Sequence, residues 1–248
     1  FYVKVDPRVE KIMDCLPNAN CGACGKPGCS GFAAAVVAGE CDVADCIPGG
    51  PDTAKQIAEI MGVEAGESEP MVAVVKCAGG NKEAKNKYRY FGERTCKAAN
   101  LVGGGQKACA YGCLGFGDCV ESCPFDALHM GDNGLPVVDD DKCTGCGICV
   151  DECPKGIMQL IPESAQIYVA CSSHDRAKDV KAVCEVGCTG CGLCAKEKVT
   201  PSGGVTMEDF LPVIDYEKAE DLLVAKAKCP ANSFIDKVKH RPKFTIDS

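Results

Sequence analysis

Residues 143–154 read "CTGCGICVDECP", and that run decides what kind of chain this is. Its spacing, C-x2-C-x2-C-x3-C-P, sets sulfurs too close together to bridge distant strands but well placed to wrap one metal centre. Three other segments align with it without gaps: "CLGFGDCVESCP" (113–124), "CTGCGLCAKEKV" (188–199) and "AEDLLVAKAKCP" (219–230). The last keeps only the closing Cys-Pro of the motif.

In two-cluster bacterial ferredoxins the fourth cysteine of each run ligates the other run's cluster. Applied to the third and fourth segments, one crossed set is Cys188, Cys191, Cys194 and Cys229, all present. The other would need cysteines where Lys198, Ala219, Leu222 and Ala225 stand, and all are absent. Random loss would not empty one set and spare the other, so Cys229 is read as the closing ligand of the cluster upstream. "YEKAEDLLVAKA" is then free to form an amphipathic helix.

The first two segments keep nearly everything. Cys143, Cys146 and Cys149 pair with Cys123. Cys113 and Cys119 pair with Cys153, but Phe116 occupies the middle position. Cys109, four residues before Cys113, is the expected substitute, although Cys184 stands in the same relation to Cys188, where no substitute is needed. Asp132-Asn133-Gly134 marks a strand–turn–strand link after Cys123, and a helical turn and another pair of short strands are expected after Cys153. His129 is read as a structural strand residue.

Ahead of these runs, Asp6-Pro7 opens a helix with Val9, Ile12, Met13 and Leu16 on one face. Cys21, Cys24, Cys29 and Cys46 follow as C-x2-C-x4-C-x16-C, with Gly22, Gly25 and Gly28 allowing tight turns. Ser30 is expected to cap an Ala-rich helix ending at Gly39, and a further helix is expected over 52–61. The set suits a [4Fe–4S] cluster; tetrahedral zinc is the alternative. Cys15 and Cys41 fall outside it and read as buried small hydrophobes.

The fold class is therefore α+β, built of small cluster-stabilised lobes: a mostly helical N-terminal 4Fe-4S domain, then ferredoxin-like (β/α) repeats. Expected divisions are 1–70, a two-cluster domain over 71–165, a degenerate one-cluster domain over 166–235, and a tail, 236–248. Four [4Fe–4S] clusters are expected. Cys77, Cys96, Cys171 and Cys184 remain, enough for a fifth, with buried structural thiols as the other reading.

Composition agrees. Twenty-two of 248 residues are cysteine and none is Trp, so the lobes have little aromatic core of their own. Ligand binding should then supply folding free energy, and the apo-chain should be largely unfolded. Reduced thiolates imply a reducing compartment. No stretch is long and apolar enough to span a bilayer. Net charge is −8, yet residues 76–97 carry seven basic and two acidic side chains. That segment is either a solvated face or a docking patch for an acidic partner, through Lys82, Lys85, Lys87 and Arg89. There is no phosphate loop, nucleophile triad, or flavin or nicotinamide fingerprint, so no catalytic residue, small-molecule substrate or nucleic-acid partner is expected.

"VDPRVEKIMDCLPNANCGACGKPGCSGFAAAV" (5–36) resembles the N-terminal iron–sulfur domain of the B subunit of Rnf-type electron-transport complexes. "KACAYGCLGFGDCVESCPFDALHM" (107–130) and "CSSHDRAKDVKAVCEVGCTGCGLC" (171–194) are similar to the longer, cysteine-rich form of that subunit. The resemblance implies an ion-translocating ferredoxin–NAD oxidoreductase in which this subunit takes electrons from reduced ferredoxin and passes them to membrane partners. It also implies a membrane helix ahead of "FYVKVDPRVE", so this chain is expected to be the soluble part, at the cytoplasmic face of the membrane. An iron–sulfur subunit of a soluble anaerobic oxidoreductase is the alternative reading.

Overall fold

A computed structural model describes residues 6–66 and 69–237; the expected tail lies almost entirely outside this range. The N-terminal part is helical. In α1 (Pro7–Cys15) the Asp6 carboxylate accepts from the Arg8 N–H at 2.9 Å, and Pro7 takes a position that needs no donor. Helices α2 (Gly28–Ala38) and α3 (Gly50–Met61) pack on α1 around Ile12, Leu16, Phe32, Val36 and Ile57, all almost fully buried. Ser30 lies inside the first turn of α2 and does not cap it. The orphan Cys29 N–H is instead taken by Asn20 Oδ1 at 2.9 Å, from the loop before the helix.

The rest of the chain repeats one strand plan twice. β1 (Met71–Val75) pairs antiparallel with β4 (Met158–Pro162), and β2 (Leu128–Met130) with β3 (Pro136–Val138). β5 (Ile167–Val169) pairs with β8 (Phe234–Asp236), and β6 (Val205–Glu208) with β7 (Leu211–Ile214). In each repeat the first and last strands form the outer pair and the middle two a hairpin. Both strands expected after Cys153 form, but β4 and β5 do not pair with each other, since β4 closes the first repeat and β5 opens the second. Val72, Val74 and Ile161 meet Tyr168 and Ala170 where the two repeats pack together.

Short helices carry the cysteine runs: α4 (Cys96–Leu101), α5 (Asp118–Glu121), α6 (Ile148–Glu152), α7 (Ala177–Val183) and α8 (Leu222–Lys228). The amphipathic helix expected from Tyr216 begins only at Leu222. Asp215 and Lys218 close a turn there, and Tyr216 folds back to reach the Ile167 carbonyl at 3.3 Å. Leu222 and Ala225, at two of the emptied cysteine positions, pack into the core of the second repeat. Apolar side chains thus occupy the space a second cluster would need.

Candidate metal centres

Helix ends and tight loops gather the thiols into groups of four. Cys21, Cys24, Cys29 and Cys46 line one cavity beneath Leu16 and Phe32. Cys188, Cys191, Cys194 and Cys229 line another, closed by Met207 of β6 and Phe234 of β8. Around Cys149 stand Cys143, Cys146 and Cys123, close enough for their charges to act on its thiol.

Cys113 and Cys119 of the first run line one cavity with Cys153 of the second. The fourth thiol there is Cys96, and Cys109 is not among the lining residues. Cys96 is the first residue of α4. Thr95 caps that helix through the Ala98 N–H at 3.1 Å. Asp118, at the start of α5, accepts from the Cys96 and Lys97 N–H groups at 2.6 and 3.0 Å. This clamp fixes Cys96 at the wall of that cavity. The expected substitute, Cys109, instead lines a cavity with Cys77, Cys171 and Cys184. In cavity lining, Cys96 and Cys109 thus stand in each other's expected places.

The closing cysteines share a local geometry. Cys153 ends α6 and Cys229 ends α8; the Ile157 N–H donates to Cys153 Sγ and the Ser233 N–H to Cys229 Sγ, both at 3.4 Å. The Ala73 N–H of β1 donates to Cys143 Sγ, also at 3.4 Å. Such bonds stabilise negative charge on sulfur and tune a bound centre. Burial pushes the thiols of Cys119 and Cys149 up to about 12 and that of Cys194 up to about 11, with neighbouring thiolates adding to the shift. A bound cation would favour the thiolate form of these buried sulfurs. A four-thiol donor set with amides on sulfur fits an iron–sulfur cluster. Among the described residues, no group of three or more His, Cys, Asp or Glu is placed to hold a single metal ion.

Cys15 and Cys41 are half-buried at the edge of the helical core, less enclosed than expected, because one ends α1 and the other follows the end of α2. His129 lies on β2, and His174 stacks on Tyr111. Lys82, Lys85, Lys87 and Arg89 are exposed. Lys85 and Lys87 reach the Ala182 and Gly103 carbonyls, and Arg89 lies over the Phe91 ring. Phe91 and Leu101, 81% and 87% exposed, add apolar surface beside them. No described helix is long and apolar enough to cross a membrane.

Residues 16–48 match the family described as "Putative Fe-S cluster", and residues 108–157 match "4Fe-4S dicluster domain". The first span contains the whole Cys21 quartet; the second includes Cys109 but stops short of Cys96. The chain is 43% identical over 240 residues to the B subunit of the Na+-translocating ferredoxin:NAD+ oxidoreductase complex of Acetobacterium woodii, covering 97% of this chain and 72% of that protein. It is 44% identical to the B subunit of the ion-translocating oxidoreductase complex of Methanosarcina acetivorans, over 93% of this chain and 86% of that one. The B subunit of the proton-translocating ferredoxin:NAD+ oxidoreductase complex of Clostridium ljungdahlii is 44% identical, over 94% and 82%. The thiol quartets and these likenesses agree: the chain belongs to the B-subunit family of Rnf-type, ion-translocating oxidoreductase complexes and is an iron–sulfur electron-transfer subunit.

Proposed function

We propose that this subunit takes electrons from reduced ferredoxin and relays them, one at a time, to membrane partners of an ion-translocating ferredoxin–NAD oxidoreductase at the cytoplasmic face. Four [4Fe–4S] sites serve the relay: Cys21, Cys24, Cys29 and Cys46; Cys123, Cys143, Cys146 and Cys149; Cys96, Cys113, Cys119 and Cys153; and Cys188, Cys191, Cys194 and Cys229. The first lies in an N-terminal domain (1–70), the next two in a two-cluster domain (71–165), and the last in a one-cluster domain (166–235). Each cluster, when bound, takes up and gives back one electron. The chain's own work is to supply thiolates, aim N–H groups at sulfur and exclude water; no side chain moves a proton.

The observation that carries this reading is the gathering of thiols from separate runs around shared cavities, in the crossed pattern of two-cluster ferredoxins. Anaerobically purified protein is expected to hold at least about sixteen iron per chain with sulfide to match, since four [4Fe–4S] clusters require that. Zinc without sulfide would overturn the reading.

Entry is placed at the basic 76–97 segment, which leads directly into Cys96. Neutralising Lys82, Lys85, Lys87 and Arg89 together is expected to slow reduction by ferredoxin about tenfold at low salt and flatten its salt dependence. Stopped-flow rates at two ionic strengths check this. An unchanged salt dependence would move the docking face elsewhere.

A further inference from the structure

Four thiols sit outside the sites just described, and they come from equivalent places in the two repeats. Cys77 follows β1 and Cys171 follows β5, the opening strand of each repeat. Cys109 precedes Cys113 by four residues, and Cys184 precedes Cys188 by four. Sequence separates them widely, yet all four line one cavity, as the Cys21, Cys113 and Cys188 quartets line theirs.

The walls are pinned by backbone. The Ala78 N–H donates to the Ala170 carbonyl at 3.0 Å, beside Cys77 and Cys171. The Lys85 and Glu185 N–H groups bond to the Val183 and Glu83 carbonyls at 2.9 and 3.0 Å, either side of Cys184. The Ala108 N–H donates to the Lys85 carbonyl at 2.8 Å, fixing the approach to Cys109.

Space and charge suit a net anionic group. A Cβ on Gly79 would stand 3.0 Å from Cys184 Sγ and 3.8 Å from Cys77 Sγ, so glycine keeps the sulfurs clear. Cys171 Sγ accepts from the Ser173 and Cys188 N–H groups at 3.5 and 3.3 Å. Lys107, only 3% exposed, donates its ammonium to the Gly80 carbonyl at 2.9 Å and so fixes the loop that follows Cys77.

We propose that Cys77, Cys109, Cys171 and Cys184 hold a fifth [4Fe–4S] cluster that joins the two repeats into one electron path. The proposal rests on the four-site reading above and extends it. Binding the preassembled cluster exchanges four S–H bonds for four S–Fe bonds, with the protons released to solvent. In the relay one electron enters from the neighbouring site and one leaves to the next, with no net change in the protein. Position gives this site its role. The Cys188 amide reaches Cys171 on one side, and Cys113 neighbours Cys77 on the other. Beyond Cys113, Cys119 neighbours Cys149, and Cys146 neighbours Cys21. Each quartet thus has a thiol beside one of the next, and the proposed site stands between the Cys113 and Cys188 quartets. Twenty of the twenty-two cysteines are then ligands, leaving Cys15 and Cys41.

The test is iron and sulfide on anaerobically purified full-length chain, with native mass spectrometry to count clusters without any variant. Wild type should hold five clusters, about twenty iron per chain. Cys109→Ser and Cys171→Ser should each lose about four iron and one EPR-active centre, whereas the double variant Cys15→Ser/Cys41→Ser should lose none. Four clusters in wild type, with Cys171→Ser unchanged, would overturn the fifth site and leave the four-site reading standing. Fewer than four would count against that reading instead.

Discussion

Stripping iron and sulfide from the folded protein with a chelator, under anaerobic conditions, is expected to abolish its tertiary structure beyond Met71. Among the described residues no sheet has more than two strands, and isolated two-stranded sheets are marginal in water. Thiols replace much of the apolar core that would otherwise hold them. Cys113, Cys119 and Cys149 lie in the core of the first repeat, and Cys171, Cys188 and Cys194 in that of the second. Binding that releases on the order of 10 kcal/mol per site is comparable with the whole net stability of an ordinary domain, about 5–15 kcal/mol. Removing it leaves buried sulfurs around empty cavities. The N-terminal helices should persist best, because Ile12, Phe32 and Ile57 are fully buried without help from the cluster. The measurement is far-UV circular dichroism with limited proteolysis: helix signal should fall in part, and cleavage should spread through 71–237. An apo-protein that resists protease as the holo-protein does, and unfolds cooperatively, would contradict this expectation.

Sequence made the crossed sets legible because ligand spacing is local and the repeats align without gaps. The lone Cys229 could be assigned to Cys188, Cys191 and Cys194 on that basis, and those four line one cavity. The exchange of Cys96 and Cys109 was not legible in the same way. Proximity favoured Cys109, but what places Cys96 is the Asp118 carboxylate, twenty-two residues away, clamping the start of α4. One signal did point there: Cys109 stands to Cys113 as Cys184 stands to Cys188, and Cys77 matches Cys171. Treated as repeat equivalents, those four form a set without any appeal to the vacancy at Phe116. Helix ends failed for a similar reason. Asn20 caps α2 from nine residues before Cys29, so the local signal at Ser30 misleads. Strand pairing between β1 and β4, eighty-odd residues apart, had no local signature at all.

Gly145→Ala is expected to lower the occupancy of the Cys143 site, and the reason lies in the backbone. Gly145 sits between two ligands with φ of +67°, a region that costs an L-residue about 1–2 kcal/mol. Steric contact costs more. A Cβ there would lie 2.9 Å from the Met71 carbonyl carbon, with the carbonyl oxygen closer still. Met71 cannot yield cheaply, since it opens β1 and is held in register opposite Pro162. The loop must move instead, drawing Cys143 away from the Ala73 N–H that reaches its sulfur and spoiling the spacing to Cys146 and Cys149. Strain and overpacking together come to about 2–5 kcal/mol, a large share of the roughly 10 kcal/mol that binding at one site supplies. Gly156→Ala separates the two effects: φ is +60°, but no heavy atom lies within 4 Å of the added Cβ. That variant should lose only about 1 kcal/mol and keep its full iron content. Iron per chain and thermal stability of the two variants, purified side by side, make the comparison. If Gly145→Ala retains every cluster, the tight approach of the ligand loop to β1 is not what holds the site.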